Sequence, residues 1–331
     1  MADAAHDEAK PAGPDAVIAL PASMQVIERD WLSCNQVLFF DGRDEERSAT
    51  LVDSGYVKHA ALTVELVRHA LARRGLADSA LRLLINTHLH SDHCGGNAAI
   101  ARTFGCPIVV PAAEFDAVAR WDEDRLTFAG TGQRCERFSA QGVLREGDRL
   151  TLGGAQWDVH AAPGHDPHSV ILHCPEHRLL LSADALWENG FGVIFPELHG
   201  DSGFAEQQAV LELIASLDVR TVVPGHGSPF GDVPEAIERA RARLRALTSD
   251  PARNARNAIK ALVKFLLLDV ERIGLDEMVD GLRDAQIMVN AADLMGMSLP
   301  QALVWAVDDL ERQSQLRRED GVLFNHEPSA A

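Results

Sequence analysis

The feature that most constrains this chain is a cluster of metal-ligand side chains directly after an apolar run. The run Leu81–Ile85 predicts a strand, and three histidines and one aspartate then fall within six residues, at His88, His90, Asp92 and His93. Imidazole nitrogens and carboxylate oxygens are the ligands that zinc and similar divalent metals accept from proteins. Asp92 and His93 are neighbours, so we do not expect both to face one ion without strain. The cluster therefore predicts a site for two metals.

Three more ligand candidates also follow apolar runs that predict strands. They are His165 after residues 156–161, Asp184 after residues 179–181, and His226 after residues 221–223. Loops at strand ends carry chemistry on a rigid frame, so strand ends that share one sheet edge would bring these side chains together. Helical patterns alternate with the strands and predict helices on the outer faces of the sheets.

The order of these segments carries a family resemblance. The pattern His-x-His-x-Asp-His followed by Gly-Gly resembles the signature of the metallo-β-lactamase superfamily. Four other segments resemble further landmarks of that family, at residues 50–55, 163–165, 182–184 and 224–227. Two positions depart from the family pattern. Ala183 stands where the family usually has Gly, and residues 166–169 read Asp-Pro-His-Ser where it usually has Thr-Pro-Gly-Ser.

This resemblance implies an α/β fold, a four-layer αββα sandwich, with a C-terminal helical extension similar to a degenerate winged helix. It also implies the ligand sets: His88, His90 and His165 for one metal, Asp92, His93 and His226 for a second, and Asp184 as a bridge. Two divalent ions are expected, Zn²⁺ first and Fe or Mn as alternatives. They would lower the pKa of a bridging water from ~16 toward ~7, and the hydroxide would attack a carbonyl carbon or phosphorus. Asp92 and Asp184 are the expected catalytic carboxylates, and Asp92 would also orient the nucleophile and relay its proton.

Three side chains near the ligands are predicted to line a substrate pocket, namely His168, Trp187 and Phe191. Each has a plainer interpretation, since His168 also suits a turn and aromatic side chains usually pack in a core. Residues 188–190 interrupt the aromatic residues, which favours some of them facing an apolar substrate group. Asp53 is predicted to hold a turn or to orient a ligand histidine.

Changes in composition divide the chain into three parts. Residues 1–16 lack an apolar period and are predicted to be disordered. Residues 17–248 contain every ligand segment and form the predicted catalytic domain, in which residues 121–142 have no clear period and predict a loop or a flap over the site. Residues 249–331 predict helices followed by a hairpin at residues 316–324.

Charge and cysteine content narrow the partners and the compartment. Lys and Arg number 31 against 49 Asp and Glu, a net charge of −18 that disfavours nucleic acid as a partner. Acidic side chains at Asp308, Asp309 and Glu311 in the presumed recognition helix predict packing or homodimer contact instead of DNA binding. Five cysteines without paired spacing favour the cytoplasm. We recognise no signal peptide or membrane-spanning stretch, so we expect no membrane partner.

These features favour a dinuclear metal-dependent hydrolase that acts on a small thioester, ester or lactone. Within the superfamily, the chain resembles the hydroxyacylglutathione hydrolase (glyoxalase II) branch. The alternatives are a β-lactamase and a persulfide dioxygenase with one iron. A phosphodiesterase or nuclease is less favoured, because the net charge opposes a polyanionic substrate.

Overall fold

A computed structural model describes residues 18–43 and 46–326 of the chain. The predicted disordered segment at residues 1–16 lies outside the described residues. The first sheet has six strands in the order β1-β2-β3-β4-β5-β6. They are β1 (Met24–Ile27), β2 (Gln36–Asp41), β3 (Ser48–Val52), β4 (Leu81–Ile85), β5 (Ile108–Pro111) and β6 (Gly142–Leu144).

The second sheet has five strands in the order β11-β10-β9-β8-β7. They are β7 (Arg149–Leu152), β8 (Ala155–Ala161), β9 (Val170–Cys174), β10 (Leu179–Ala183) and β11 (Thr221–Pro224). The two sheets pack face to face through one apolar cluster, in which Phe39 and Trp157 meet edge to face with ring centroids 5.1 Å apart. Alternate side chains of each strand supply this cluster because strand side chains point to opposite faces.

The other face of each sheet is covered by helices. The first sheet packs against α1 (Ala60–Arg73) and α3 (Asn97–Phe104), and the second against α7 (Phe204–Ser216) and α8 (Val233–Ser249). Leu38 and Leu180 show the alternation, since each faces a helix layer between neighbours that face the other sheet. Two helix–sheet clusters around one sheet–sheet cluster form the expected four-layer αββα sandwich.

Shorter helices occupy the loops between these layers. They are α2 (Ser91–Cys94), α4 (Phe115–Arg120), α5 (Phe128–Thr131) and α6 (Pro196–His199). Strands β3, β4, β5 and β6 run parallel to one another, and β10 runs parallel to β11. The loops that leave these parallel strands at their carboxyl ends therefore emerge at common sheet edges.

The C-terminal extension is helical and ends in a small sheet. It contains α9 (Ala252–Val270), β12 (Arg272–Gly274), α10 (Leu275–Gly281), α11 (Gln286–Leu294), α12 (Leu299–Arg312), β13 (Leu316–Glu319) and β14 (Val322–Asn325). The three strands form one sheet in the order β12-β14-β13, and β13 and β14 form the predicted hairpin. The sequence-based boundary at residue 249 falls where α8 ends, and the division into domains stays a prediction.

Residues that precede the extension in the chain also take part in its apolar core. Leu198 belongs to that core, and Val193 and Phe195 pack against it. Among the described helices, none alone is long and apolar enough to cross a membrane. The pair α11 and α12 meets that test together, but the two helices are bent by 80°.

Candidate metal centre

The first group of ligand candidates contains His88, His90 and His165, all of which are buried. Their facing nitrogens all lie within 4.8 Å of one another. His90 Nδ1 lies 2.7 Å from His165 Nε2, and His88 Nε2 is buried without a hydrogen-bond partner among the described residues. The structure therefore brings together the three histidines that the sequence assigned to one metal.

The second group contains Asp92, His93, Asp184 and His226, whose ligand atoms also lie within 4.8 Å of one another. His226 Nε2 lies 3.0 Å from Asp92 Oδ2, and His93 Nε2 lies 3.3 Å from Asp184 Oδ1. The expectation that neighbouring Asp92 and His93 cannot face one position is wrong. His93 Nε2 lies 4.0 Å from Asp92 Oδ2 because both side chains leave the first turn of α2 toward the same point.

Asp184 contacts both groups and lies between them. Its Oδ2 is 3.4 Å from His165 Nε2 in the first group and 3.7 Å from His226 Nε2 in the second. The side chain follows β10 directly, and Ala183 before it has φ 45°, in the left-handed region that favours glycine. This backbone conformation gives a physical reason for the glycine that the family usually has at position 183.

The protonation tendencies of the two groups differ. Burial and the neighbouring His93 and His90 hold the pKa of His88 well below its usual value, and burial lowers the pKa of His165 to about 4. In the second group, burial opposes charge on His93, but Cys34, Asp184 and Asp53 outweigh it and raise the pKa of His93 well above its usual value. Neutral imidazoles at His88 and His165 present lone pairs, which is the state that a metal requires.

The donor sets fit divalent metals. Two buried imidazole nitrogens, on His88 and His93, have no hydrogen-bond partner among the described residues, and such unpaired atoms are costly unless something binds them. Three imidazoles in one group, and two imidazoles with two carboxylates in the other, are ligand sets typical of zinc and related ions.

Asp53 holds the signature loop from behind the ligands. Its carboxylate accepts hydrogen bonds from the backbone N–H of Thr87 at 2.9 Å and from the Thr87 hydroxyl at 2.8 Å. Its Oδ2 also lies 2.9 Å from Nδ1 of His93, on the ring side away from the ligand nitrogen. A carboxylate in this position fixes the tautomer and the orientation of a ligand histidine. This is the role expected for Asp53 from the sequence.

Two glycines allow other chain segments to approach the ligands closely. A Cβ on Gly225 would lie 2.2 Å from Asp184 Oδ1, and a Cβ on Gly192 would lie 2.2 Å from His165 Nδ1. The same His165 nitrogen lies 2.5 Å from the carbonyl oxygen of Val193, which holds the ring in place. Glycine at 192 and 225 is therefore required by the packing around the ligands.

A cleft opens above the two groups, with ligands at its base and apolar walls. Trp31, Trp187, Val193, Phe195, Leu262 and Phe265 belong to its lining. Trp187 lies where the sequence predicted it, and its Nε1 donates to Asp184 Oδ1 at 3.3 Å. Trp31 stacks on His226 with ring centroids 5.7 Å apart, and the sequence analysis did not single it out.

Two predicted pocket residues lie elsewhere. Phe191 is fully buried in the core between the second sheet and its helices. The guanidinium carbon of Arg243 lies 5.1 Å from the centroid of its ring. The assignment of Phe191 to the pocket is therefore wrong. Phe195, four residues later, lines the cleft instead. His168 is not among the lining residues of the cleft either, and its Nε2 lies 3.9 Å from the buried carboxylate of Glu114.

The predicted flap, residues 121–142, does lie over the cleft and contains α5. Thr127, Thr131 and Gln133 of this segment line the cleft, and the Ser91 hydroxyl donates to Gln133 Oε1. Arg134 pairs with Asp269 at 2.6 Å, and the same carboxylate accepts a hydrogen bond from the Tyr56 hydroxyl at 3.0 Å. The flap is thus attached both to the signature turn and to the last turns of α9.

Comparison with known proteins identifies the family. The model of the metallo-beta-lactamase superfamily matches residues 29–226, so the chain belongs to that superfamily. It is similar to the bovine (Bos taurus) acyl-coenzyme A thioesterase MBLAC2, with 30% identity over 181 residues, covering 50% of this chain and 63% of the relative. It is also similar to a hydroxyacylglutathione hydrolase from Rhizobium meliloti (strain 1021), with 30% identity over 159 residues, covering 47% of this chain and 51% of the relative.

Solved structures support the fold. A metallo-beta-lactamase family protein from Thermus thermophilus has a TM-score of 0.54 at 18% identity, covering 93% of this chain and 100% of its own. The FEZ-1 metallo-beta-lactamase from Legionella gormanii has a TM-score of 0.54 at 14% identity, covering 68% of this chain and 92% of its own. At these identities the likeness concerns the fold alone.

Proposed function

We propose that this protein is a hydrolase of small thioesters that works with two divalent metal ions, most simply Zn²⁺. The observation that carries the proposal is the position of Asp184 between a three-histidine group and a second group that also holds Asp92, at the base of an apolar cleft. The names of the two relatives support a thioester over an ester or lactone, because both specify an acyl group carried by a thiol.

When bound, the two metals would supply an acidified water as nucleophile and would stabilise the oxyanion that develops on the carbonyl. The chain itself orients the reactants. Trp187 Nε1 holds one oxygen of Asp184, and Asp53 holds His93 from behind. The Asp92 carboxylate, at the cleft base, would take a proton from the attacking water and return it to the leaving thiolate. The aromatic walls and the flap exclude bulk water, which strengthens these electrostatic contacts.

The competing functions differ in metal content and substrate. A persulfide dioxygenase with one iron would leave the second ligand group without a role, yet all four of its side chains are in place, and His93 and Asp184 are buried. A β-lactamase or phosphodiesterase would use the same two groups but a different substrate. Cytoplasmic location, homodimer formation and the absence of nucleic-acid and membrane partners stay predictions.

The test combines metal analysis with a substrate panel. The protein as purified, and after loading with zinc, is analysed for metal content and assayed with acyl thioesters, a lactone, a chromogenic cephalosporin and bis-nitrophenyl phosphate. We expect two metals per chain and thioester hydrolysis as the highest kcat/KM.

Two variants check that turnover comes from this site. Asp184→Asn should abolish turnover without changing the circular dichroism spectrum, whereas the exposed Asp201→Asn should behave as wild type. Unchanged turnover in Asp184→Asn, or one iron per chain with persulfide oxidation, would contradict the proposal.

A further inference from the structure

A basic groove leads away from the metal cleft along α9. The groove consists of two adjoining cavities. The first, of about 530 Å³, shares Trp31 and Ala261 with the cleft, and the second, of about 500 Å³, shares Lys260 with the first. The three spaces thus follow one another along a single helix. Ala261 and Arg253 lie eight positions apart on α9, which corresponds to about 12 Å along the helix axis.

The groove is positively charged although the chain carries a net charge of −18. Its lining cations are Arg243, Arg253, Arg256, Lys260 and Lys264. The carboxylate among its described lining residues is Asp30, near the cleft end. Clustered cations on an acidic protein raise the local concentration of anionic ligands and hold them.

Ion pairs from outside the lining hold several of these cations in place. Asp309 lies 2.9 Å from Lys260 Nζ, and Asp250 lies 2.8 Å from Arg256 Nη2 and 3.4 Å from Arg253 Nε. Neither carboxylate belongs to the groove lining. Lys264 is left out of the charge count because its ammonium already has partners, Gln315 O and Asn325 Oδ1. The other four lining cations still exceed the three carboxylates, Asp30, Asp250 and Asp309, so the groove stays positive.

One aromatic ring lines each of the two cavities of the groove. Trp31, 48% exposed and stacked on His226, stands at the border with the metal cleft. Trp305 lines the far cavity, with Lys260 Nζ 5.9 Å from its ring. A ring beside cations suits a planar base attached to phosphates, because every base offers a face for stacking and phosphates pair with Arg and Lys.

We propose that this groove binds the leaving-thiol portion of the substrate and that this portion carries phosphates and a purine base. The substrate class is then an acyl thioester of a coenzyme A-type thiol. The acyl group lies over the metals, the uncharged arm passes Trp31, and the phosphates lie against Arg253, Arg256 and Lys260.

This inference rests on the thioester function proposed above. Its structural basis is separate, because the superfamily model ends at residue 226 and every cation of the groove follows that residue. A glutathione thioester has neither a phosphate nor a base, and it would leave the far cavity and Trp305 without a contact.

The test compares two thioesters that differ only in the part assigned to the groove. Zinc-loaded wild type is assayed with butyryl-coenzyme A and with butyryl-pantetheine, which lacks the phosphates and the base. We expect a KM lower on the order of tenfold or more for the coenzyme A ester, as loss of a charge-assisted contact implies. The kcat should be the same for both esters.

Variants assign this difference to the groove. Arg253→Gln combined with Arg256→Gln should raise KM for butyryl-coenzyme A on the order of tenfold or more and leave the pantetheine ester unchanged. Arg241→Gln is the matched control, since Arg241 on α8 pairs with Glu212 and Glu238 outside the groove. Adenosine 3′,5′-bisphosphate should compete with butyryl-coenzyme A for the groove of the wild-type protein. This test does not depend on the folding of any variant.

Calorimetry with coenzyme A separates this inference from the proposed function. Thioester hydrolysis with equal KM for both esters, and no binding of coenzyme A, would overturn the groove assignment while leaving the hydrolase intact. Binding of coenzyme A that is lost in the double variant, in a protein that hydrolyses no thioester, would overturn the proposed function while supporting the groove as the site of this ligand.

Discussion

The hydrogen bonds of Asp53 lead to a quantitative prediction for Asp53→Asn. The native carboxylate accepts from the backbone and hydroxyl of Thr87 and faces Nδ1 of His93, all at 2.8 to 2.9 Å. An amide of the same size has one acceptor oxygen and one NH₂ donor. If the oxygen keeps the Thr87 backbone contact, the NH₂ group faces His93 Nδ1. The ring then shifts its proton to Nε2, the nitrogen that the metal needs.

The expected magnitude follows from the loss of this orientation. Removing the partner behind a ligand histidine lowers metal affinity or activity by about 10- to 100-fold, equivalent to about 1.4–2.8 kcal/mol. Because Asp53 is buried, the mispaired amide should also lower the free energy of unfolding by about 1–3 kcal/mol. The effect should be larger on metal retention than on substrate KM, since Asp53 does not line the cleft.

The assay is competition for zinc against a chelator of known affinity, together with kcat/KM and thermal unfolding. Asp41→Asn is the control, because Asp41 also accepts a backbone N–H, that of Gly154 at 2.8 Å, but far from the ligands. An Asp53→Asn protein that folds and retains wild-type zinc affinity and kcat/KM would refute the role given to this carboxylate.

The buried carboxyl of Glu114, the glycine beside His165 and the metals themselves give three further predictions. Burial, and then Asp166, raise the pKa of Glu114 from 4.5 to about 8, so the native state keeps a proton that the unfolded chain releases. Stability should therefore fall as pH rises from about 4.5 to about 8, and Glu114→Gln should lack this decline in thermal melts across that range. Gly192→Ala should displace His165 and reduce zinc stoichiometry measured by metal analysis, whereas Gly281→Ala, with open space at its Cβ, should not. Chelation should lower the melting temperature of the wild type, because ions that bind the native state stabilise it and their removal leaves buried carboxylates facing each other.

The strands that carry the ligands were predictable because each is an apolar run bounded by turns. The sequence placed β4 with its observed ends, and the predicted ligands follow the strands as expected. The missed strands β1, β6 and β12 are only three or four residues long. Each forms by pairing with another strand, β1 with β2, β6 with β5 and β12 with β14, and a run this short shows no period of its own.

The pocket was harder to predict than the ligands. The loop after Asp184 has no period, so its sequence does not show which aromatic side chain faces the cleft, and Phe195 lines it where the sequence favours Phe191. Trp31 reaches the site through contacts that are remote in sequence, since Cys34 N donates to the Asp92 carbonyl at 3.0 Å. A side chain placed by such long-range contacts carries no local signal.

The basic groove shows a limit of whole-chain composition. A net charge of −18 argues against large polyanions, but it averages over the surface and conceals one positive strip along α9. The arginines of α8 suggest self-association when only the sequence is considered. The contribution of one of them, Arg243, to a groove becomes visible only once α8 and α9 lie side by side.

The carboxylate of Asp269 joins three stretches of chain that are far apart in sequence. It holds Arg134 of the flap and Tyr56 beside the signature turn, while belonging to the last turn of the helix that forms the groove. Lifting the flap must therefore release a contact anchored in the C-terminal extension. A truncation before α9 would therefore remove the carboxylate that holds the flap together with the helix that lines the groove.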